Sequence, residues 1–514
     1  MKACCLSFSI LFLLLTELLA QQEFNTQLQF RSPKENLGVA INSHHTETKP
    51  VISGDGTILY FCRQNHPKNI RGKQDDQDIY FSQLKNGKWT EAKNIGWPLN
   101  DGHPNGICSV SPDGKTLLLI NEYVNGGYVK PGVSLSHKLA NGWSFPEKIT
   151  IENFYNFSPY VDYFMSSNGK VLILAVQRRG GVGDQDLYVS HNNHGNWTEP
   201  VNLGPSINTE GADFAPFLAA DGKTLYFASE GHPGLGGSDI FYSKRLDDTW
   251  KSWSNPVNLG PAVNTRTWDA YYSISARADY AYFVSNNKEN NSKDIFRIKL
   301  PEEARPEPVV LVKGKVLNAN TNEPLSAAVL FKPEDIPSEH GLARSDPENG
   351  TYKIVLPKGA SYQFKATTDG FLSLINSIDL TKANNYGEVE ENLYLVPLEK
   401  GQKIPVKNIF FVRSKPQLLP QSFTELDKLV AILKEYPSLM IELGGHTDNL
   451  GQSSLNLDLS LQRVATVKDY LVDKGIAPNR LSTKGYGDTQ PIALNDRELN
   501  RRRNRRVEFT ILSL

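Results

Sequence analysis

Four aspartates at the start of similar aromatic segments are the most regularly placed candidates for chemistry in this chain. They are Asp78, Asp186, Asp239 and Asp294. A carboxylate repeated in this way could ligate a cation, but an aspartate at a strand start more often accepts hydrogen bonds from the backbone N–H groups of a turn. We therefore predict a structural role for these aspartates and no metal site.

The sequence offers little for catalysis. Its ten histidines are scattered, and neither a Ser/His/Asp order nor a close carboxylate pair stands apart from the repeated segments. Asp55, Asp113 and Asp221 each precede a glycine, a pair that is typical of hairpin turns. We predict that the protein is not an enzyme and that it holds no cofactor.

One polar helix face near the C terminus is a better candidate for ligand binding. Asn456, Ser460 and Arg463 are four and three residues apart, so they share one face of a helix predicted over about Asn456 to Lys474. Gly475 follows at the position where helices commonly end. The positive N-terminal end of this helix would favour an anion.

The periodicity around this face predicts an α/β domain over residues 402–514. Leu439, Ile441 and Leu443 alternate as in a strand. A first strand is predicted at Ile409–Phe411, a helix after a capping box at Ser422–Glu425, and a closing strand at Arg506–Leu512. These elements would place the polar helix face beside the ends of the strands.

Several motifs on this frame occur in a specific order. They are Gly445-His446-Thr447-Asp448, Asn456 to Arg463, Gly475-Ile476, Arg480-Leu481, Gly485-Tyr486-Gly487 and Asn504-Arg505-Arg506-Val507. The series closely resembles the OmpA-like peptidoglycan-binding domain and covers about a fifth of the chain. That resemblance implies non-covalent binding of the diaminopimelate residue in the peptidoglycan stem peptide.

The resemblance also implies which residues bind. Diaminopimelate carries an ammonium and a carboxylate on one carbon, so its receptor needs an acceptor paired with a donor. By the resemblance, Asp448 meets the ammonium and Arg463 binds the carboxylate. The other candidates are Asn456 and Ser460 on the helix face, and Thr447, Leu459 and Arg505 at motif positions. The alternative for Asp448 and Arg463 is a structural ion pair with each other.

Two features of this region need separate interpretation. The family often has an acidic residue just after the first Phe pair, whereas Val412-Arg413-Ser414 follows Phe411 here, which bears on any ligand contact from that loop. The run Arg501–Arg506 could indicate nucleic-acid binding. Because 55 Lys and Arg are balanced by 56 Asp and Glu, we predict framework arginines with a solvated face, and no nucleic-acid partner.

The region before residue 300 is an internal repeat of about four short strands per unit. The repeated segments begin at Asp78, Gly132, Asp186, Asp239 and Asp294, in steps of 54, 54, 53 and 55 residues. Such units resemble the WD40-like repeats of periplasmic propellers and predict an all-β five-bladed β-propeller over residues 27–300. A strand within 28–37 is expected to complete the last blade.

A second β region follows. Residues 301–308 are rich in proline and charge, which predicts a linker. Short strands over residues 309–398, with Gly314-Lys315-Val316 and Gly350-Thr351-Tyr352, resemble the carboxypeptidase regulatory-like family. The resemblance implies a small transthyretin-like β-sandwich with a structural role.

The N terminus indicates export. Lys2 precedes an apolar run from Leu6 to Ala20, which predicts a secretory signal peptide over residues 1–20, and no stretch is long and apolar enough to be a transmembrane segment. Cys4 and Cys5 precede the run, which favours a soluble exported protein over a lipoprotein. Cys62 and Cys108 could form a disulfide or remain buried thiols, and the sequence favours neither.

These features predict a non-catalytic tether in the periplasm, associated with the outer membrane. Its C-terminal domain would bind peptidoglycan, and its propeller would bind an outer-membrane or secretion-machinery protein. The domain order resembles the PorE-like envelope proteins that accompany type IX secretion, without their helical repeats and lipid anchor. The alternatives are a plain scaffold and a wall-localised enzyme, and the enzyme would need convergent carboxylates or a Ser/His pair on the propeller axis.

Overall fold

The computed structural model of this protein describes residue 30 and residues 32–74, 77–124, 128–193, 195–287, 292–334, 341–406 and 408–514. The predicted signal peptide lies outside the described residues. The described chain is mostly β-strand with a C-terminal α/β domain, as predicted. None of the helices in these ranges has both the length and the apolar character needed to cross a membrane.

The chain divides into two compact units. Unit 1 contains the residues up to Lys315 together with Val329–Tyr362 and Ile378–Glu391. Unit 2 contains Val316–Ala328, Gln363–Ser377 and Asn392–Leu514. The division therefore passes through the region predicted as one sandwich.

The first part of unit 1 consists of five antiparallel sheets, and a short N-terminal strand belongs to the fifth of them. Strand β1 spans Glu35–Asn36. The first sheet contains β2 (Thr46–Ile52), β3 (Ile58–Gln64), β4 (Gln77–Lys85), β5 (Lys88–Trp89) and β6 (Lys93–Asn94). The second contains β7 (Gly106–Val110), β8 (Thr116–Val124), β9 (Tyr128–Leu139), β10 (Gly142–Trp143) and β11 (Glu147–Lys148). The third contains β12 (Asp162–Met165), β13 (Val171–Val176), β14 (Asp186–Asn193), β15 (Asn196–Trp197) and β16 (Val201–Asn202). The fourth contains β17 (Asp213–Leu218), β18 (Thr224–Ser229), β19 (Asp239–Lys244) and β20 (Val257–Asn258), and the fifth contains β21 (Asp269–Ile274), β22 (Tyr280–Asn286) and β23 (Lys293–Lys299).

The five sheets follow one another in a closed order. Their first strands, β2, β7, β12, β17 and β21, contact one another in chain order, and β21 also contacts β2. Strand β1 pairs with β23 through Glu35 opposite Arg297, so the N-terminal strand joins the fifth sheet as expected. The glycines of the Asp-Gly pairs have φ of +72° at Gly56, +70° at Gly114 and +69° at Gly222, which confirms the predicted hairpin turns.

The repeated aspartates hold turns, as predicted. Asp186 accepts hydrogen bonds from the backbone N–H groups of Val182 (2.7 Å) and Gly183 (3.0 Å) and from Nδ2 of Asn202 (2.8 Å). Oδ1 of Asn202 accepts a bond from Asn208 Nδ2 at 2.9 Å, and Asn208 also binds the N–H and C=O of Leu187. Each carboxylate thus satisfies buried donors of its own sheet.

The same arrangement recurs in other sheets. It contains Asp78, Asn94 and Asn100 in the first sheet, and Asp239, Asn258 and Asn264 in the fourth. In the fifth sheet, Asp294 binds the side chains of Asn36, Asn287 and Ser292, and Asn36 binds Asn42. The Asp and Asn spacing of the sequence repeat is therefore explained by one hydrogen-bonding network.

The segment predicted as a linker, residues 301–308, belongs to unit 1. A 3-10 helix at Glu302–Ala304 places Ala304, which is 1% exposed, in a hydrophobic cluster with Tyr226 and Ile298. The hydroxyl of Tyr226 donates a hydrogen bond to the Ala304 carbonyl. Ala304 thus attaches this segment to the core beside Tyr226, while Glu302, Glu303 and Glu307 are exposed, and the linker over residues 301–308 stays a prediction.

The next nine strands are short. They are β24 (Val309–Asn318), β25 (Ala328–Pro333), β26 (Gly341–Arg344), β27 (Thr351–Pro357), β28 (Ser361–Thr367), β29 (Phe371–Leu372), β30 (Ile375–Asp379), β31 (Gly387–Glu390) and β32 (Leu393–Pro397). Within unit 1, β24 pairs antiparallel with β27 and parallel with β31. Within unit 2, the end of β24 pairs parallel with β32, which pairs antiparallel with β29.

The C-terminal domain is a four-stranded sheet with helices. Its elements are β33 (Lys403–Val406), α1 (Phe423–Glu435), β34 (Met440–His446), α2 (Ser453–Asp473), β35 (Leu481–Gly487), α3 (Glu498–Asn504) and β36 (Val507–Ser513), with 3-10 turns at Pro420–Ser422 and Pro478–Arg480. The sheet order is β33-β36-β34-β35, in which only β34 and β35 are parallel. Apolar side chains of α1, α2 and the sheet, such as Leu429, Leu443 and Val467, form the core.

Two local predictions in this domain are wrong. The segment Ile409–Phe411 is not a strand, and only Phe411 forms an isolated bridge, with Leu418. Ser422 does not cap helix α1, because its Oγ accepts a bond from Phe410 N–H (2.8 Å) and donates one to Phe410 C=O (2.9 Å). Ser422 therefore fixes the segment that was predicted to enter the sheet, and β33 occupies the sheet edge instead.

Candidate functional site

A cavity of about 1100 Å³ opens at one end of the C-terminal sheet. Its lining comes from the segment before α1, the loop after β34, the first half of α2, and α3 with the residues around it. Six of the seven predicted binding residues line this cavity: Thr447, Asp448, Asn456, Leu459, Arg463 and Arg505. The fold thus brings together residues that are separated by up to 58 positions (Thr447 to Arg505).

Glycines let helix α2 approach the sheet closely enough to form one wall. A Cβ at Gly445 in β34 would lie 2.4 Å from the Ser460 carbonyl oxygen, and one at Gly485 in β35 would lie 2.8 Å from the Leu457 carbonyl oxygen. Real Cβ atoms do not approach backbone atoms so closely. The glycine motifs of the sequence are therefore required for the helix to reach the strand ends.

Asn456 holds the loop that carries Asp448. Its Nδ2 donates to the carbonyl oxygens of Asp448 (3.3 Å) and Leu450 (3.1 Å). One carboxylate oxygen of Asp448 accepts a bond from the Leu450 N–H at 3.1 Å, and Asp448 is 7% exposed. The side chain is therefore oriented by the loop before any ligand binds.

Asp448 pairs with Arg505. Arg505 Nη1 lies 2.6 Å from Asp448 Oδ2, and its Nη2 pairs with Glu498 at the start of α3. The hydrogen bond to Glu498 and the pairing with Asp448, together stronger than the opposing effect of burial, raise the pKa of Arg505. The expected alternative, an ion pair between Asp448 and Arg463, is absent from the described structure.

Arg463 is left without a carboxylate partner among the described residues. Its Nε donates to the Lys415 carbonyl at 3.3 Å, and its guanidinium lies 4.9 Å from the centre of the Phe411 ring. Burial and the charge of Arg505 lower the pKa of Arg463, against an opposing effect of Asp448. A half-buried guanidinium that forms no ion pair is suited to binding a carboxylate.

Thr447 adds an unsatisfied hydroxyl to the same wall. It is 6% exposed, and its Oγ1 is buried without a hydrogen-bond partner in the described structure. Buried polar atoms are seldom left in this way without a functional reason. Leu459 supplies an apolar patch of the lining.

Ser460 does not face the cavity, which corrects the prediction for this residue. It is fully buried, its Oγ donates to the Leu457 carbonyl (2.8 Å), and Oγ accepts a bond from the N–H of Gly487 (3.0 Å). The hydroxyl thus joins α2 to β35. Residues four apart share a helix face, but the close approach of α2 to the strands buries the Ser460 position.

Several lining residues were not predicted. Phe410, Phe411, Arg413, Glu498, Arg502 and Arg503 also line the cavity. The sequence predicts framework arginines with a solvated face for the run Arg501–Arg506, and it predicts no binding role for Arg413. The available signal for Arg502 and Arg503 was the high density of arginines in the run from Arg501 to Arg506.

His446 lines the cavity and contacts Glu508, which lies outside the lining. His446 stacks on Tyr486 with 5.0 Å between ring centres and 4° between planes, and its Nε2 lies 3.2 Å from Glu508 Oε1. His446 lowers the pKa of Glu508 to about 2, with a further contribution from Arg506 and against burial. Glu508 is therefore a charged, fixed partner of the framework.

A second, small cavity lies among the first strands of the five sheets. Lys49 pairs there with Asp162, and its Nζ lies 4.4 Å from the centre of the Tyr271 ring. Asp162 is the only carboxylate in this lining, and it is already paired. The described lining thus lacks the convergent carboxylates or Ser/His pair that an enzyme at this place would need.

Cys62 and Cys108 are free thiols in the structure. Cys62 is fully buried, and Cys108 lines the small cavity. Burial raises the pKa of Cys62 to about 11 and that of Cys108 to about 12. Of the two possibilities that the sequence left open, the structure shows unpaired thiols.

Known proteins resemble this chain in its C-terminal part. The OmpA family matches residues 410–505. Outer membrane porin F of Pseudomonas fluorescens is 36% identical over 104 residues, which are 20% of this chain and 32% of the porin. Peptidoglycan-binding protein ArfA of Mycobacterium tuberculosis is 37% identical over 103 residues, 20% of this chain and 32% of ArfA. Outer membrane protein A of Bordetella avium is 39% identical over 121 residues, 23% of this chain and 62% of that protein.

The family match coincides with the cavity described above. Residues 410–505 include 18 of the 23 lining residues, and they form an OmpA-like domain. The chain spans about a third of the length of porin F and of ArfA.

Proposed function

We propose that this protein is a non-catalytic tether of the bacterial periplasm, associated with the outer membrane and the cell wall. Its C-terminal domain binds the diaminopimelate of peptidoglycan, and its five-sheet region binds an outer-membrane or secretion-machinery protein. The observation that carries the first part is the unpaired guanidinium of Arg463 beside the oriented carboxylate of Asp448 in one open cavity. One relative, ArfA, is named as a peptidoglycan-binding protein.

The chemistry of the cavity suits a zwitterionic amino-acid head. Asp448 keeps acceptor capacity beyond its bonds to Leu450 and Arg505, because each carboxylate oxygen can accept two hydrogen bonds. An ammonium can therefore bind Asp448 while Arg505 remains paired. The Nη groups of Arg463 then bind the carboxylate on the same carbon, and Thr447 Oγ1 offers a further polar contact.

The domain plan of the proposal is a five-bladed propeller over residues 27–300, a β-sandwich over 309–398 and the OmpA-like domain over 402–514. The cyclic contacts of β2, β7, β12, β17 and β21 and the pairing of β1 with β23 support the propeller. Large exposed side chains on its loops, among them Trp97 (66%) and Tyr160 (73%), favour a protein partner over a soluble small molecule.

The experiment is co-sedimentation of the full chain with purified peptidoglycan sacculi, followed by displacement with free meso-diaminopimelate. We expect wild-type protein in the pellet, release by diaminopimelate, and loss of pelleting in Arg463→Ala. Arg497→Ala, an exposed arginine outside the cavity lining, is the matched control and should pellet like wild type. Protein that stays in the supernatant, or that pellets equally in wild type and Arg463→Ala, would overturn the proposal.

A further inference from the structure

We infer that the cavity contains a second anion subsite, formed by Arg413, Arg502 and Arg503, that binds a second carboxylate of the stem peptide. The domain then prefers peptides whose carboxylates are free to peptides in which they are amidated. This inference rests on the proposed function, because it names the form of the ligand that the same cavity selects.

The charge of the lining supports the subsite. Six arginines line the cavity, at positions 413, 463, 502, 503, 505 and 506, against the two carboxylates of Asp448 and Glu498. Both carboxylates pair with Arg505, and Arg506 pairs with Glu508. Four arginines therefore have no carboxylate partner among the described residues, although the diaminopimelate head has only one carboxylate for Arg463.

Two of these four arginines, Arg463 and Arg502, lie over the rings of two different phenylalanines in the lining. Arg502 lies 5.7 Å from the ring centre of Phe410, and Arg463 lies 4.9 Å from that of the next residue, Phe411. Such contacts orient a guanidinium without neutralising its charge. Because Ser422 fixes the Phe410 backbone, both aromatic supports are part of the framework.

The loop after Phe411 presents Arg413 to the same cavity. A bond from the Val412 N–H to the Gln417 carbonyl (2.8 Å) closes the loop, and Ser414 has a φ of +55° at its turn. Arg413 is exposed and lines the cavity. The loop therefore adds positive charge to the lining from a segment distant in sequence from the arginines of α3.

The size of the cavity allows a ligand longer than one amino-acid head. Its volume of about 1100 Å³ lies just above the range of about 300–1000 Å³ that is usual for small-molecule sites. The stem peptide offers two further carboxylates near diaminopimelate: the α-carboxylate of the γ-linked glutamate and the carboxylate at the end of the peptide. Amidation removes the charge of either one and leaves its size nearly unchanged.

The test measures the binding of three synthetic peptides to the full chain. The probes are L-Ala-γ-D-Glu-meso-diaminopimelate, the same peptide with a glutamate α-carboxamide, and the same peptide with a carboxamide at its chain end. We expect wild-type protein to bind at least one carboxamide about tenfold more weakly than the free peptide, a difference of about 1.4 kcal/mol. Which carboxamide binds more weakly identifies the carboxylate that occupies the subsite.

The variant with Arg413→Gln, Arg502→Gln and Arg503→Gln should bind all three peptides with equal affinity, while Arg497→Gln should keep the wild-type preference. Equal affinity of wild-type protein for all three peptides would overturn the subsite and leave the proposed function standing. A preference that persists in the triple variant would also overturn the subsite. No binding of any peptide by folded wild-type protein would overturn the proposed function itself.

Discussion

Arg505 Nη1 lies 2.6 Å from Asp448 Oδ2, although 57 residues separate the two in the chain. This pair orients the carboxylate at the end of β34 and leaves Arg463, which lines the same cavity, without an ion-paired carboxylate among the described residues. A preformed acceptor and an uncompensated donor are thus held on separate elements, β34 and α2. Preorganisation of this kind lowers the cost of ordering the site when a ligand binds.

Replacing Asp448 with Asn should nearly abolish binding to peptidoglycan. The amide has almost the same shape as the carboxylate but cannot compensate the charge of an ammonium, and removal of one partner of such a pair costs about 2–5 kcal/mol. We expect the dissociation constant for the diaminopimelate tripeptide to rise by about thirtyfold or more, measured by isothermal titration calorimetry.

Asp458→Asn is the matched control for this change. Asp458 lies on the exposed side of α2 and binds Gln462, outside the cavity lining. An Asp448→Asn protein with wild-type affinity would show that this carboxylate does not meet the ligand.

Arg463→Lys should weaken binding without weakening the fold. Lysine keeps the charge but cannot bind a carboxylate through two parallel N–H groups, so we expect about a tenfold loss of affinity. Thermal stability should change little, because Arg463 makes no ion pair in the described structure and its only hydrogen bond is 3.3 Å long. Calorimetric binding and a thermal scan of the same sample separate the two effects. Equal affinity of the lysine variant would indicate that Arg463 acts only as a point charge.

Ser460→Ala should have the opposite profile, with a loss of stability and unchanged affinity. Without Oγ, the buried N–H of Gly487 loses its acceptor, which costs about 1–3 kcal/mol. Hydrogen exchange of the amides in α2 and β35 should become faster, while the folded protein still binds the tripeptide. Ser454→Ala, at an exposed position of the same helix, should leave both unchanged. A selective loss of affinity in Ser460→Ala would restore this residue to the binding site.

Asn208→Ala should destabilise the five-sheet region. The Asn208 side chain is the hydrogen-bond partner of the buried N–H and C=O groups of Leu187. Leaving both groups unpaired should lower the free energy of unfolding by about 2–4 kcal/mol. All seven tryptophans lie between Trp89 and Trp268, so tryptophan fluorescence reports the unfolding of this region. Asn193→Ala, at an exposed strand end, is the control. Equal denaturation midpoints for the two variants would contradict a structural role of the repeated network.

Acid should destabilise the C-terminal domain through Glu508. Its pKa is lowered from an ordinary value of 4.5 to about 2 in the folded protein, so the folded state binds fewer protons than the unfolded state in this window. The stabilisation is complete above about pH 4.5 and is lost as the pH falls toward 2, by at most about 3 kcal/mol. Hydrogen exchange of β34 and β36 between pH 5 and 2.5 measures it.

The control for this dependence is Glu508→Gln. This variant should start less stable at pH 5 and lose less stability on acidification than wild type. Parallel losses in both proteins would place the acid sensitivity at other groups.

The local elements of this protein were largely predictable. The Asp-Gly turns, the spacing of about 54 residues between repeated segments and the helix end at Gly475, with φ of +91°, depend on residues close together in the chain. The capping-box prediction for Ser422 failed because the partner of this serine lies farther away in the chain. A Ser-x-x-Glu pattern indicates a capping box only if the serine has no better partner, and Phe410, 12 residues earlier, provides one.

The amino-acid sequence alone predicted part of the candidate site, because the motif order from Gly445 to Val507 includes Asp448, Asn456, Arg463 and Arg505. The same reasoning included Ser460, which is buried, and left out Arg413, which lines the cavity. Only the tertiary structure decided how they are paired. Helix α2 approaches the glycines of β34 and β35 closely, and this approach buries Ser460. Because Arg505 directly follows α3 at the end of the sheet, Asp448 pairs with Arg505 rather than with Arg463. Side-chain pairing across such distances depends on where the backbone elements meet, which periodicity and spacing along the chain do not encode.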